Sequence, residues 1–360
     1  MECKEKKRLI TKVLQKPLSF SKADEIQAMN CFNFKDIRSL IKRIYDANEE
    51  ILLEMSDAGR SGLAGFNRRS TKGRIKKYLK KIARGHRVNN EKFANKVILA
   101  EGDSWFQFPL LVNDIVDWLI KDKRNAIYSI AYAGDWVTNI IYDGGYISEL
   151  PVHQPDAFLI SGGGNDLLGN SRLAVMLELP QKLSVNPKDY VKKEFHSFLL
   201  TLKLMYRIMF GNIEKSGKYP NMKIITQGYD YPIPRRPRFI WKRPLNVILT
   251  RWIGSGKWLA LPMDIVGIPD KSHGTEYKYL RKNIAKYLID CFNEMFIDLT
   301  KDFPTVFHVD CRGIAKGEKD WFDEIHLRSK KFKDVSQTYA EIIHTKLGQH
   351  GKQVYQVDSR

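Results

Sequence analysis

Five short stretches constrain this 360-residue chain more than any other feature: KVILAEGDS at 96–104, NAIYSIAYAG at 125–134, DAFLISGGGND at 156–166, MKIITQGYDYP at 222–232 and TVFHVDCRG at 305–313. Each is apolar nearly throughout and ends in glycine or turn residues. A strand with one wet face alternates, whereas a continuous apolar run suits a parallel sheet covered by helices on both faces. The intervening lengths leave room for crossover helices, and 43% hydrophobic residues excludes collagen-like, coiled-coil and disordered chains. From Ser329 to Leu347 the pattern turns helical, with Phe332, Val335, Tyr339, Ile342 and Ile343 on one face. The expected fold class is α/β: a doubly wound, flavodoxin-like three-layer α/β/α sandwich on a five-stranded parallel sheet, over residues 97–350. Its ligand site belongs at the carboxyl ends of the strands.

Charge divides the chain differently. Residues 1–96 hold 24 Lys+Arg against 11 Asp+Glu, while the other 264 residues hold 36 against 30, so most of the net +19 sits in the first quarter. That segment reads as a basic helical attachment. Helical spacing runs over 22–57 through Ile37, Leu40, Ile41, Ile44, Tyr45, Ile51, Leu52 and Met55, with Ser21 and Asp24 at its N-cap. A break rich in Gly and Ser follows over 57–70. Then comes a basic helix with Ile75, Tyr78, Leu79 and Ile82 on one face and Lys76, Lys77, Lys80, Lys81 and Arg84 on the rest. Such a helix either packs on the next domain or lies against anionic lipid or phosphates. The charged N-terminus lacks a secretory apolar run, and no apolar stretch is long enough to span a bilayer, so a cytoplasmic location is expected. Cys3, Cys31, Cys291 and Cys311 form no C-x-x-C pair. Neither a disulfide framework nor a cysteine zinc site is expected.

The strand ends carry the chemistry. The first closes on Gly102-Asp103-Ser104-Trp105. A serine between a buried strand and a helix exposes its hydroxyl, and its N–H points into the site from the helix's positive end. The second ends in Ala133-Gly134-Asp135, where Gly134 lets the backbone approach a ligand and offers an N–H. After the third, Gly162-Gly163-Gly164-Asn165-Asp166 brings the main chain close, and Asn165 supplies an amide donor for a developing oxyanion. Past the fifth, Asp323-Glu324-Ile325-His326 places a histidine where an aspartate can hold its tautomer, ready to act as general base toward a serine. The other seven histidines have no comparable setting.

In this order the four segments resemble the blocks of the SGNH (GDSL-type) hydrolase family, and the resemblance covers residues 97 to about 348. It implies that Ser104 is the nucleophile, that His326 takes and returns its proton, and that Asp323 orients the imidazole. It implies an oxyanion hole of the Ser104 and Gly134 N–H groups and the Asn165 amide, with no metal or organic cofactor. Trp105 departs from the smaller aliphatic residue usual there, which puts the shape of the pocket floor in question.

An insertion over about 229–270 follows the fourth strand. It mixes Arg235, Arg236, Arg238 and Arg243 with Phe239, Trp241, Trp252 and Trp258 and carries prolines that bar regular structure at its start. It reads as a lid-like element presenting apolar and cationic groups together. The leading expectation is a serine esterase acting on a lipid or phospholipid acyl ester, with peripheral contact to anionic membrane through 72–87 and 235–258. A deacylase of acetylated sugars or small esters is the second reading. The third is a non-catalytic protein whose N-terminal segment binds nucleic acid or a partner, which the intact Ser, Asn, Asp and His set disfavours.

Overall fold

The computed structural model describes residues 4–46, 64–85, 96–108, 112–169, 172–235 and 258–358. Its centre is one parallel sheet whose strands are β1 (Lys96–Gly102), β2 (Asn125–Ser129), β3 (Ala157–Ser161), β4 (Lys223–Gln227), β5 (Val306–Asp310) and β6 (Val354–Gln356). They lie in the order β2-β1-β3-β4-β5-β6. The first five coincide with the apolar runs. The sheet has six strands rather than five: His308 pairs with Val354 and Asp310 with Gln356. Three residues with mixed exposure at an edge leave no apolar run to read.

Helices cover both faces. On one lie α5 (Ile115–Lys121) and α12 (Ser329–His344), which pack together. On the other lie α6 (Val137–Asp143), α7 (Gly145–His153), the short α8 (Gly164–Leu168) against α6, α9 (Lys193–Lys215) and α11 (Leu280–Thr300). All five inner positions expected on α12 are buried. The chain leaves β1 for β2 on one side and returns to β3 on the other. The point where that direction reverses opens a crevice between the ends of β1 and β3.

The N-terminal segment is built into this sandwich. Helices α1 (Lys6–Gln15), α2 (Lys22–Cys31) and α3 (Phe34–Tyr45) pack on α9. The expected N-cap is present, since Ser21 and Asp24 form a reciprocal capping box. A second box at Asn33 and Asp36 splits the single expected helix in two, and Ile51, Leu52 and Met55 lie outside the described residues. Helix α4 (Ala64–Gly85) begins inside the stretch expected to be a break and packs along the edge strand β2. Its inner face holds Asn67, Arg74 and Tyr78, all buried, and Lys81, whose ammonium donates to the Ile120, Asp122 and Asn125 carbonyls at 2.6–2.7 Å. Leu79, expected on that face, is 58% exposed. Cys31 is disulfide-bonded, while Cys291 and Cys311 are free thiols. Spacing gave no sign of that bond, which reducing compartments disfavour. No helix among the described residues is long and apolar enough to cross a membrane.

Arg74 ties α4 to the segment between β1 and α5. Its guanidinium donates to Asp114 at 2.6 Å, to Asp117 at 3.0 Å and to the Phe106 carbonyl at 2.5 Å, and it is 3% exposed. Removing one partner of a buried pair strands the other's charge, at about 3–5 kcal/mol. Arg74→Met is therefore expected to lower unfolding stability by roughly that amount. Urea denaturation measures it, and a loss under about 1 kcal/mol would contradict the buried-pair account.

Candidate active site

The sequence between β1 and α5 does not pass directly into a helix. Residues 104–106 form a turn closed by Phe106 and Gln107 N–H groups on the Asp103 carbonyl, and α5 starts only at Ile115. Ser104 therefore sits at a turn and not at a helix N-terminus, which corrects the expected dipole contribution. Gly102 is required just before it: a Cβ there would stand 2.7 Å from the Ser161 carbonyl oxygen, because β1 and β3 close together at Gly102–Ser161.

Asp103 ties the strand ends to one another. Its carboxylate accepts from the Trp105 N–H at 3.0 Å, the Ser161 hydroxyl at 2.9 Å and the Tyr229 hydroxyl at 2.6 Å. Tyr229, just past β4, in turn accepts from the Gly164 N–H at 3.1 Å. Burial beside this carboxylate pushes the Tyr229 phenol well up, so it stays a donor.

Ser104 Oγ lies 2.7 Å from His326 Nε2, and His326 Nδ1 lies 2.7 Å from Asp323 Oδ2. A carboxylate can only accept, so Nδ1 carries the hydrogen and Nε2 is left to accept from the serine hydroxyl. The other Asp323 oxygen accepts the Ile325 and His326 main-chain N–H groups at 2.9 and 2.8 Å, which fixes the loop as well as the ring. Asp323 and His326 are 2% and 5% exposed, and the Phe108 ring tilts against the imidazole at 4.6 Å. Trp105 fills space below. It is 2% exposed, packs edge-on against Tyr229 and Phe332, and donates its indole N–H to the Ile325 carbonyl at 3.3 Å. The bulk that departs from the family pattern thus supports the histidine loop.

Three donors are left at the ends of the first three strands. The N–H groups of Ser104 and Gly134 have no acceptor among the described residues. Gly134 stands two residues beyond Tyr132, whose N–H donates to the Gly102 carbonyl at 2.8 Å, just as Ser104 stands two beyond Gly102. Its φ of 84° is left-handed and calls for glycine. Asn165 donates one amide hydrogen to the Asp135 carbonyl at 2.8 Å and keeps the other. Its neighbour Asp166 caps α6, accepting from the Val137 N–H at 2.8 Å and the Thr138 N–H at 3.3 Å. Burial raises this carboxyl to about 6. The Asn-Asp pair thereby locks the third strand end onto the second.

An open cleft lies over the serine and the histidine. Ser104, Asn165 and His326 line it, with apolar walls from Leu167, Leu168, Leu259, Leu288, Ile289 and Phe292. Asp103 and Asp230 also border it, but internal donors occupy their oxygens. Asp230 accepts from the Tyr231, Gly313 and Ala315 N–H groups.

Sequence reasoning missed several residues that build the site. Asn67 of α4 grips Ala133, accepting its N–H at 2.9 Å and donating to its carbonyl at 3.3 Å, next to Gly134. Its oxygen also accepts from Gln107 at 2.8 Å. Tyr45 of α3 donates to the Asp166 carbonyl at 2.7 Å. Glu324, inside the Asp-x-x-His block, is fully buried and accepts four main-chain N–H groups, from Arg235, Trp258, Leu259 and Ala260. No motif flags these residues. A polar position at helical spacing on α4 was the one available sign.

No family model matches the chain, and no curated protein matches it. Solved structures that overlay on it include a family 3 carbohydrate esterase from Clostridium thermocellum (13% identity, 69% of this chain and 96% of that one, TM-score 0.38). An extracellular lipase from Streptomyces rimosus (12%, 67% and 98%, 0.38) and phospholipase A1 from Streptomyces albidoflavus (12%, 70% and 100%, 0.38) overlay similarly. The fold is defined by the strand order and side-chain geometry of the chain itself. On that geometry, the resemblance to the SGNH (GDSL-type) hydrolases extends from the four blocks to the parallel α/β/α sandwich that holds them.

Tyr229→Phe tests the tie between the strand ends. It leaves a buried carboxylate oxygen and the Gly164 N–H short of a partner, which is expected to cost about 1–3 kcal/mol in a chemical melt. A change under about 0.5 kcal/mol would contradict the assigned role.

Proposed function

We propose that the chain is a serine hydrolase that cleaves a carboxylic ester through an acyl-enzyme. The observation that carries this is the continuous Asp323–His326–Ser104 relay, with 2.7 Å at both steps. His326 Nε2 takes the Ser104 proton as Oγ bonds to the ester carbonyl carbon. The negative oxygen then meets the Ser104 and Gly134 N–H groups and the free Asn165 hydrogen. His326 returns the proton to the departing alcohol, leaving Ser104 acylated. Water, deprotonated by the same imidazole, releases the acid and restores the serine. Asp323 orients the ring and stabilises its charged form.

The aliphatic walls of the cleft favour a lipid-like acyl chain over an acetyl group. Beyond the wall residue Leu259, helix α10 (Ala260–Val266) exposes Leu261 and Ile265. The outer face of α4 presents Arg68, Arg69, Lys72, Lys76, Lys77 and Lys80 to solvent, none paired with a carboxylate among the described residues. Both features support work at an anionic lipid surface. Contact through 235–258 falls mostly on residues outside the described ones. The inner face of α4 packs on β2 and its outer face is cationic apart from Leu79, so membrane contact through this helix is electrostatic and not by insertion.

A fluorophosphonate probe is expected to label the native protein and to fail on Ser104→Ala. His326→Ala should abolish ester hydrolysis, and Asp323→Asn should lower kcat by a smaller factor. Labelling that survives in Ser104→Ala would remove that serine as nucleophile. A preference for acetyl over long-chain esters would turn the reading to the small-ester deacylase.

Sedimentation tests the surface. Full-length protein should pellet with phosphatidylserine vesicles and not with phosphatidylcholine vesicles, and changing the six α4 cations to Gln should abolish the difference. Equal recovery with both vesicle types would end the membrane proposal, and a steep salt-dependent shift of duplex DNA would replace it with nucleic-acid binding.

A further inference from the structure

We infer that Glu324 is a positioning residue that locks the acyl wall of the cleft to the loop bearing Asp323 and His326, and thereby sets which acyl chains the site accepts. The inference rests on the ester-hydrolase reading and deepens it.

Asp323 and Glu324 are adjacent but serve opposite sides of one loop. Asp323 turns inward to the imidazole. Glu324, 0% exposed, turns to the two stretches that flank residues 236–257. One oxygen accepts the Arg235 N–H at 3.2 Å and the Ala260 N–H at 2.9 Å, and the other accepts Trp258 at 3.0 Å and Leu259 at 3.3 Å. Its own carbonyl accepts the Ile233 N–H at 3.1 Å. Pro232 and Leu259 on these stretches, and Ile325 on the loop, all line the cleft beside His326.

Every partner of this carboxylate is a main-chain N–H donor, and no ion pair joins it to a cation among the described residues. Arg235 sends its guanidinium elsewhere, to the Phe322 carbonyl. Four N–H dipoles therefore hold a buried negative charge, a geometry that only two acceptor oxygens can satisfy. An amide in its place turns an NH2 toward two N–H groups and repels them. The wall then moves relative to the imidazole, and a displacement of about 1 Å near a reacting centre costs up to about a hundredfold in rate.

The test uses the full chain, a p-nitrophenyl ester series from acetyl to decanoyl, and the variants Glu324→Gln and Glu324→Asp. In Glu324→Gln the ratio of decanoyl to acetyl kcat/KM should fall about tenfold, with KM for decanoyl raised and fluorophosphonate labelling of Ser104 retained. Glu324→Asp keeps the charge on a shorter arm and should fall between the two. It also provides the readout if the amide variant does not fold. A chain-length ratio unchanged from wild type, whether activity drops uniformly or only thermal stability drops, overturns the inference and leaves the hydrolase reading standing. A wild-type protein that neither labels nor cleaves any ester overturns the hydrolase reading, and this inference with it.

Discussion

The site depends on one carboxylate that is not part of the relay. Asp103 gathers the turn after β1, the last residue of β3 and Tyr229 beyond β4. Parallel strands bring their carboxyl ends to one edge, but they do not by themselves fix the turns that follow. A buried anion surrounded by donors does so, because each donor it lost would leave charge uncompensated in a low dielectric. With that edge fixed, Ser104 projects from its turn, and Trp105 is directed beneath the histidine loop to hold the Ile325 carbonyl. The histidine arrives from more than two hundred residues away onto a platform already built.

The basic N-terminal segment looked like an attachment and is part of the scaffold. Charge counts treat a helix as a sum, whereas α4 divides its cations by face. Arg74 and Lys81 point inward to carboxylates and carbonyl ends, and six others point to solvent. The inward cations close the exposed edge of β2, and Asn67 on the same face holds the main chain beside Gly134. Part of the excess charge is therefore structural. The outward cations remain the part that bears on where the protein works.

Legibility followed the physics of each element. Five strands were readable because a strand buried on both faces must be apolar along its whole length. The sixth was not, since a three-residue edge strand needs only a few backbone partners. The inner face of α12 followed apolar spacing, while the inner face of α4 did not, because it is polar and pairs with groups that no local pattern announces. Capping boxes at Ser21 and Asn33 are local chemistry, yet only the second box explains why one apolar periodicity became two helices.

The sequence by itself determined five strands of the sheet, their ends and the four short blocks, since these depend on residue type at close spacing. Tertiary structure alone decided that Asp103 and Tyr229 bind the strand ends together and that Asn67 steadies the second block. It alone showed that Glu324 faces away from its neighbours to hold the cleft wall. Each of these is a contact between polar groups distant in the chain. Burial turns such a contact from a negligible preference in water into a requirement, and burial is set only when the whole fold closes.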